Sequence, residues 1–268
     1  LFRRLYACLK PRGVVTTTFR GFRVAFDADD PTHEALLLGS DFNDPEFALL
    51  ERHVRPGMTV VDIGANIGCY TLVLSSLVGE TGVVVAFEPG PDNVAALRGN
   101  VERNGVKNVR IEARAVSDRS GTATLELSRA SGEHRLAPSA DGIRTVQVPV
   151  TTLDEALEPL GYRADIVKMD AQGAEFAVLR GMTRTLEANR NLCLLVEFDP
   201  EGLRAYHESP TAFATALEGL GFRLNHVRHD LPVGESVVPI RAVDAATICE
   251  RERRHINLWC VRDGSTSP

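Results

Sequence analysis

The chain has 268 residues, 44% hydrophobic and 25% charged, an ordinary globular composition long enough for one large α/β domain with additions. Thirty basic against 36 acidic side chains leave a formal charge of −6, which argues against a general nucleic-acid scaffold. The five cysteines (Cys8, Cys69, Cys193, Cys249, Cys260) are scattered without a C-x-x-C pair, so neither a disulfide framework nor a zinc site is expected. No apolar run reaches the ~18 residues of a membrane span, and the N-terminus has no signal-peptide core. The chain opens on Leu1 rather than Met, as expected of a trimmed start. A soluble, reducing, cytoplasmic setting is the expectation. Six basic residues (Arg3, Arg4, Lys10, Arg12, Arg20, Arg23) precede the first acid, Asp27. They read either as a solvated face or as a contact to an anionic substrate handle or membrane surface.

Residues 1–9 carry apolar positions at amphipathic spacing and predict a short helix, stopped by Pro11 and Gly13. Residues 14–19 and 22–26 are β-rich around Arg20-Gly21 and predict a hairpin. Asp44-Pro45 opens a helix that Arg55-Pro56-Gly57 ends. From there strands and helices alternate. Residues 59–63 form a strand, 69–77 a buried helix, 83–87 a strand, and 91–104 a helix closed by Gly105. Residues 109–113 are a third strand, and 122–127 with 145–150 an added strand pair. A helix over 152–160 begins at a Thr151 or Thr152 cap. Strands at 166–170 and 192–198 are followed by helices at 174–180 and 210–220. Residues 222–227 and 256–261 are strands with no convincing crossover helix between them, so they should pair antiparallel. Repeated βα units imply a mostly parallel sheet covered on both faces. Residues 1–45 form an extension of helix and hairpin, and 46–268 the main domain. Residues 128–141 are polar and predict a mobile loop near the site.

The chemistry concentrates at two strand ends. Residues 60–68 read V-V-D-I-G-A-N-I-G, and residues 84–89 read V-V-A-F-E-P. The first strand ends in Asp62 and enters a glycine turn of Gly64, Ala65, Asn66 and Gly68; the second ends in Glu88 and Pro89. Such a turn holds a nucleoside-bearing ligand at the carboxyl edge of the sheet. Asn66 stands where a dinucleotide fingerprint has its second glycine. Asp62 would repel a pyrophosphate and suits a cation, while Glu88 suits a ribose diol. The combination points to S-adenosylmethionine, which carries an ammonium, a sulfonium and no phosphate. Ala115, beyond the third strand, is expected beside the same cofactor.

The strand at 166–170 carries Lys168 and Asp170 to the same edge, within I-V-K-M-D-A-Q-G-A-E. Lys168 reads either as a site residue or as the ion-pair partner of Asp170 or Glu197. Glu175 is expected to brace the Gly173 turn. Here the chain resembles the FkbM family of S-adenosylmethionine-dependent methyltransferases. The matching blocks, in family order, are the two strand ends above, A-V-S-D-R-S-G, V-T-T-L-D, I-V-K-M-D-A-Q-G-A-E-F-A-V-L-R-G and L-L-V-E-F. The resemblance implies a Rossmann-like class I fold, with a seven-stranded mostly parallel sheet and an antiparallel last strand. It also implies O-methylation of a hydroxyl on a sugar, lipid or secondary metabolite. Many members carry Glu where Gln172 stands.

Methyl transfer is an in-line displacement, so alignment is the main task, and an alcohol acceptor needs a nearby base. The candidates are Asp170, Glu197, His134 and Lys168. Asp170 also stands where it can bind the cofactor, and His134 reads either as a swinging loop residue or as a surface histidine. His207, His226, His229 and His255 show no partner spacing and read as surface or hairpin residues. Asp170 and Glu197 alone do not make a metal site. The expected partner is a small hydroxylated acceptor, with no nucleic acid, no stable membrane insertion, and homo-oligomerisation left open. The competing readings are a nicotinamide-dependent oxidoreductase and a non-catalytic binding module; N-methylation also remains open. The acceptor is expected to be walled by the basic N-terminal segment, residues 128–141 and residues 228–254.

Overall fold

A computed structural model describes residues 10–39, 44–136, 144–252 and 255–262. The helix expected over residues 1–9, with Arg3, Arg4 and Cys8, lies outside them. β1 (Val14–Phe19) and β2 (Phe22–Asp27) form the expected antiparallel hairpin, turning through Arg20 and Gly21 at positive φ. A lone hairpin is marginal in water and needs a surface to cover. Asn100, on the Pro91–Arg103 helix, supplies the attachment. Its Oδ1 accepts from the Ala25 amide (2.8 Å), and its Nδ2 donates to Ala25 O (3.0 Å) and Ile67 O (2.9 Å). Phe19, Phe26, Phe47, Leu72 and Leu97 then close over one another in a single cluster. The boundary expected at residue 45 therefore crosses shared packing. Within the basic segment, Arg12 is paired with Asp29 (3.0 Å) and Arg20 with Glu51 (2.9 Å).

The main sheet begins with β3 (Thr59–Ile63), β4 (Val83–Phe87) and β5 (Val109–Glu112), all parallel. The chain then leaves it. β6 (Ala115–Val116), β7 (Gly121–Glu126), β8 (Arg135–Leu136) and β9 (Thr145–Thr151) form a small sheet in the order β6-β9-β7-β8. The expected pair at 122–127 and 145–150 is β7 and β9, and they are antiparallel. β10 (Ile166–Met169) and β11 (Cys193–Phe198) return beside β3. β12 (Phe222–Val227), β13 (Val237–Ile240) and β14 (Ile256–Arg262) complete the order β13-β12-β14-β11-β10-β3-β4-β5. Every residue of β3 and β10 is buried, as expected of strands covered on both faces.

β14 runs antiparallel to both β11 and β12, as the sequence predicts. Two features of this end differ from expectation. The sheet has eight strands rather than seven, because β13 adds an antiparallel edge to β12. A helix, Ala242–Glu252, also lies between β12 and β14. Its Ala242, Ala245 and Cys249 pack into the largest core cluster at three- and four-residue spacing. Small side chains at those positions give a weak hydrophobic signal, which is why the pattern reads as loop. Cys69, Cys193, Cys249 and Cys260 are all free and buried, as small core residues. Among the described residues no helix is long and apolar enough to cross a membrane.

The chain builds outward from β3 to β5, then restarts at β10 on the other side of β3. Ligands of open α/β sheets bind where strand order reverses in this way. The carboxyl ends of β3 and β10 meet there, with Asp62 paired in register with Lys168.

Candidate active site

After β3 the backbone turns through Gly64 at φ +77° and Asn66 at φ +50°. A Cβ on Gly64 would lie 1.9 Å from the carbonyl oxygen of Asp170, so only glycine allows the two strand ends to approach this closely. The turn amides are all engaged. Gly64 N and Ala65 N donate to Phe87 O (both 3.0 Å), and Asn66 N donates to Glu88 Oε2 (2.8 Å). Ile67 N donates to Asn66 Oδ1 (2.6 Å) and Gly68 N to Ala65 O (2.9 Å). A pyrophosphate site needs free amides at such a turn. Residues 64–68 have none to offer, which argues against the dinucleotide reading.

Glu88 is buried at the end of β4. Its Oε1 accepts from Gly90 N (2.8 Å) and Asn93 Nδ2 (3.3 Å), and its Oε2 from Asn66 N. A carboxylate offers about four lone-pair sites, so one remains on Oε2 for a ligand hydroxyl. Burial pushes its pKa up to about 7, against the pull of those three donors. The cleft beside it is bordered by Gly64, Asn66, Glu88, Pro89, Ala115 and Asp170, among others. Phe87, Pro89, Val116, Leu125 and Leu136 add apolar surface of the kind an aromatic base stacks on. A polar turn, one hydroxyl acceptor and an apolar slot fit an adenosine.

Asp62, Ala65 and Gly68 do not border the cleft. Asp62 is fully buried beneath it, where its Oδ2 accepts from Thr71 Oγ1 (2.6 Å) and its Oδ1 faces Lys168 Nζ at 3.3 Å. The direct contact to a ligand ammonium expected of Asp62 is therefore closed off, because the register sets a lysine against it. Ala65 is buried within the turn, and Gly68 meets Leu97. Lys168 Nζ also donates to Gly64 O (3.2 Å), lies 3.7 Å from Asp170 Oδ2 and sits over the Tyr70 ring. Burial pulls the Lys168 ammonium down, but Asp62 and Asp170 outweigh it and hold the pKa above its usual value. So placed, Lys168 is a charged strut under the turn rather than a proton acceptor.

A second, wider space of about 2530 Å³ adjoins the cleft. Asp170, Gln172 and Gly132 border both. Gln172 adopts φ +51° and directs Nε2 to Asp170 Oδ1 (2.7 Å) and Glu197 Oε2 (3.0 Å). His255 Nε2 stands 3.4 Å from Glu197 Oε1, and His229 Nε2 3.0 Å from the buried Glu46 carboxylate. These two histidines thus have the acidic partners that sequence spacing did not reveal. Burial, followed by the charges of Asp170 and Glu175, pushes the Glu197 carboxyl well above the usual range. Glu175 Oε1 accepts from Ala171 N (2.8 Å) and Gly173 N (3.2 Å), bracing that turn as predicted.

His134 borders the cleft, against Gly90 and on the Glu88 side. Its Nδ1 accepts from Ser128 N (3.1 Å), so that nitrogen carries no proton. Burial lowers its pKa. Asp170, Gln172 and Glu197 meet at the groove instead, which sets His134 apart from them. Gln172, Asn93 and Ser131 were not foreseen. Asn93 could have been found from its place in the first turn after the Glu88 strand end, and Gln172 from its place between Asp170 and Gly173. Ser131 has no local signal.

Residues 62–224 match the profile of the methyltransferase FkbM domain. The chain belongs to this family. A curated FkbM-type relative, the 31-O-demethyl-FK506 methyltransferase FkbM of Streptomyces tacrolimicus, is 32% identical over 161 residues, 48% of this chain and 61% of that protein. The hexuronic acid methyltransferase AglP of Haloferax volcanii is 32% identical over 130 residues, 47% of this chain and 51% of that protein. The chain thus spans about half the length of the curated relatives it matches. A solved S-adenosylmethionine-dependent O-methyltransferase of Thermotoga maritima aligns with a TM-score of 0.46 at 14% identity, over 99% of this chain and 82% of that one. S-adenosylmethionine is the cofactor of FkbM-family methyltransferases, and the Glu88 cleft fits its nucleoside. The FkbM match begins at Asp62, so the hairpin and the residues after it lie outside the matched segment.

Proposed function

We propose that this chain transfers a methyl group from S-adenosylmethionine to a hydroxyl of a sugar, lipid or secondary metabolite, as an O-methyltransferase in glycan or natural-product tailoring. One observation carries the reading: Asp170 and Gln172 stand in the wall common to the Glu88 cleft and a wide groove. A donor in the first and an acceptor in the second would meet at that wall. The printed names of the relatives, a hexuronic acid methyltransferase and a 31-O-demethyl-FK506 methyltransferase, support a hydroxylated acceptor.

The bound cofactor supplies a methyl group on a sulfonium, already activated for displacement. The protein's task is alignment and the removal of one proton. Glu88 accepts from one ribose hydroxyl through its remaining lone pair. Gly64 and Asn66 shape the turn beneath, and the apolar slot beside Pro89 and Ala115 holds the base. Asp170, with Lys168 Nζ 3.7 Å away, accepts the acceptor's hydroxyl proton as its oxygen takes the methyl group. Gln172 fixes the carboxylate by its 2.7 Å hydrogen bond. Glu197, its carboxyl pushed up by burial, borders the groove beside Asp170, placed to hydrogen-bond a second acceptor oxygen. His134 serves the cofactor side rather than the acceptor.

Calorimetry with S-adenosylhomocysteine (SAH) and NAD tests the first half: binding of the former alone is expected, and its failure to bind would sink the reading. A labelled-methyl screen over glycosides, hydroxy-lipids and polyketides tests the second. Transfer to amines alone would replace the hydroxyl acceptor.

A further inference from the structure

The cleft's roof is fastened by a part of the chain that the family match leaves out. Residues 131–133 form a single 3-10 turn, Ser131–Glu133, over the glycine turn. Asp30 reaches it from the N-terminal segment: its carboxylate accepts from Ser131 N at 3.2 and 3.1 Å, and from Thr32 N at 2.8 Å. Thr32 Oγ1 accepts from Gly132 N (2.9 Å). Ser131 is also held from below, because Asn66 Nδ2 donates to its Oγ (3.3 Å) and Asn93 Nδ2 to its carbonyl (3.3 Å). His33 Nε2 lies 3.4 Å from Asn66 Oδ1, which closes a ring through the extension, the glycine turn and the roof.

We propose that Asp30 and Thr32 are positioning residues of the cofactor site: they fasten the 131–134 roof over the cleft and set His134 against the nucleoside. This rests on the methyltransferase reading and extends the site to residues before 62. Four hydrogen bonds from separate elements fix a three-residue turn, more than its own fold needs. The same turn carries His134, whose Nδ1 is occupied by Ser128 N and whose Nε2 is therefore its donor nitrogen. Asp30 acts here as an anion. The groups facing it are His33 at 3.8 Å, His134 on the roof, the Ser131 side chain and the two amide donors; burial raises its pKa, but the bonds from Ser131 and Thr32 outweigh that and lower it. The fastening holds at neutral pH and loosens only in acid.

The test uses the full chain and SAH. Asp30→Ala and Thr32→Val are expected to weaken SAH binding about tenfold each, a typical loss for a positioned hydrogen bond. Amide exchange at Ser131 and Gly132 should rise about tenfold, with the unfolding midpoint nearly unchanged. Asp30→Asn and Thr32→Ser should recover part of both, since each keeps an acceptor oxygen. Gly132→Ala probes from the other side, because its Cβ would meet Thr32 Cγ2 at 2.8 Å. It should also weaken SAH. Loosened amides with SAH affinity unchanged within about twofold would overturn the inference while leaving the methyltransferase reading intact. Unchanged exchange in Asp30→Ala would overturn it too. Failure of the parent chain to bind SAH would remove the reading itself and this inference with it.

Discussion

The two spaces that meet at Asp170 are built on different principles. The cleft is made by backbone: glycine turn, strand ends and Glu88, whose carboxylate is held by three donors. The groove is made by side chains, many of them on loops, and Arg129, Arg144 and Glu201 on its rim are exposed. Backbone sites fix one ligand shape, whereas side chains on loops can be changed without disturbing the fold. A constant donor and a variable acceptor call for that division. Substitutions in the glycine turn and at the strand ends should therefore cost stability and SAH affinity together, and those on the groove side should spare both.

The largest expected effect tests the base of the cleft. Lys168→Met leaves Asp62 charged, fully buried and facing no cation, a loss of about 4 kcal/mol in chemical denaturation. Adding Asp62→Asn should restore much of it. Gly64→Ala comes next, at about 3 kcal/mol with SAH binding abolished, because the new Cβ collides with Asp170 O. If the protein keeps its stability there, the close approach of β3 and β10 is wrong.

Glu175→Gln probes a buried acid whose pKa burial raises to about 7 from 4.5, with Oε2 lacking a hydrogen bond. Between those values the native state binds more protons than the unfolded chain, so stability falls as pH rises through that window. This group contributes on the order of 3 kcal/mol to that fall. The Gln variant should show a shallower decline from pH 5 to 8 and be no less stable at pH 8. A steeper decline would refute the assignment.

Gln172→Ala sits on the dividing wall. Methyl transfer should slow about ten- to hundredfold as Asp170 and Glu197 lose their common donor, with SAH affinity kept within about threefold. Loss of SAH binding instead would move Gln172 to the cofactor side. At the small end, Arg129→Ala on the groove rim should change stability by less than about 0.5 kcal/mol. Its effect should fall on acceptor KM alone.

The donor side was legible because its parts are local. A strand, a glycine turn and a terminal acid occupy contiguous residues, and Gly64, Asn66, Glu88, Pro89, Ala115 and Asp170 all border the cleft. What escaped depends on register and on distant contacts. Asp62 looked free to meet an ammonium; only the pairing of β3 with β10 places Lys168 against it. His255 met Glu197 because β14 inserts beside β11, fifty-eight residues later in the chain. Asp30 lies 101 residues from Ser131 and has no spacing that links them. The helix Ala242–Glu252 was missed for a local reason, since alanines mark its buried face weakly.

The four buried cysteines make the chain its own unfolding clock. Burial pushes the Cys69 thiol up to about 12 and raises that of Cys260 as well, so at these two sulfurs a thiol reagent finds almost no thiolate in the closed state. Labelling must wait for opening. Cys69 begins the helix that follows the glycine turn, while Cys193 and Cys260 lie on the adjacent strands β11 and β14. The rate at each sulfur then dates the opening of its own neighbourhood, cofactor turn or central sheet, with no probe added to the sequence.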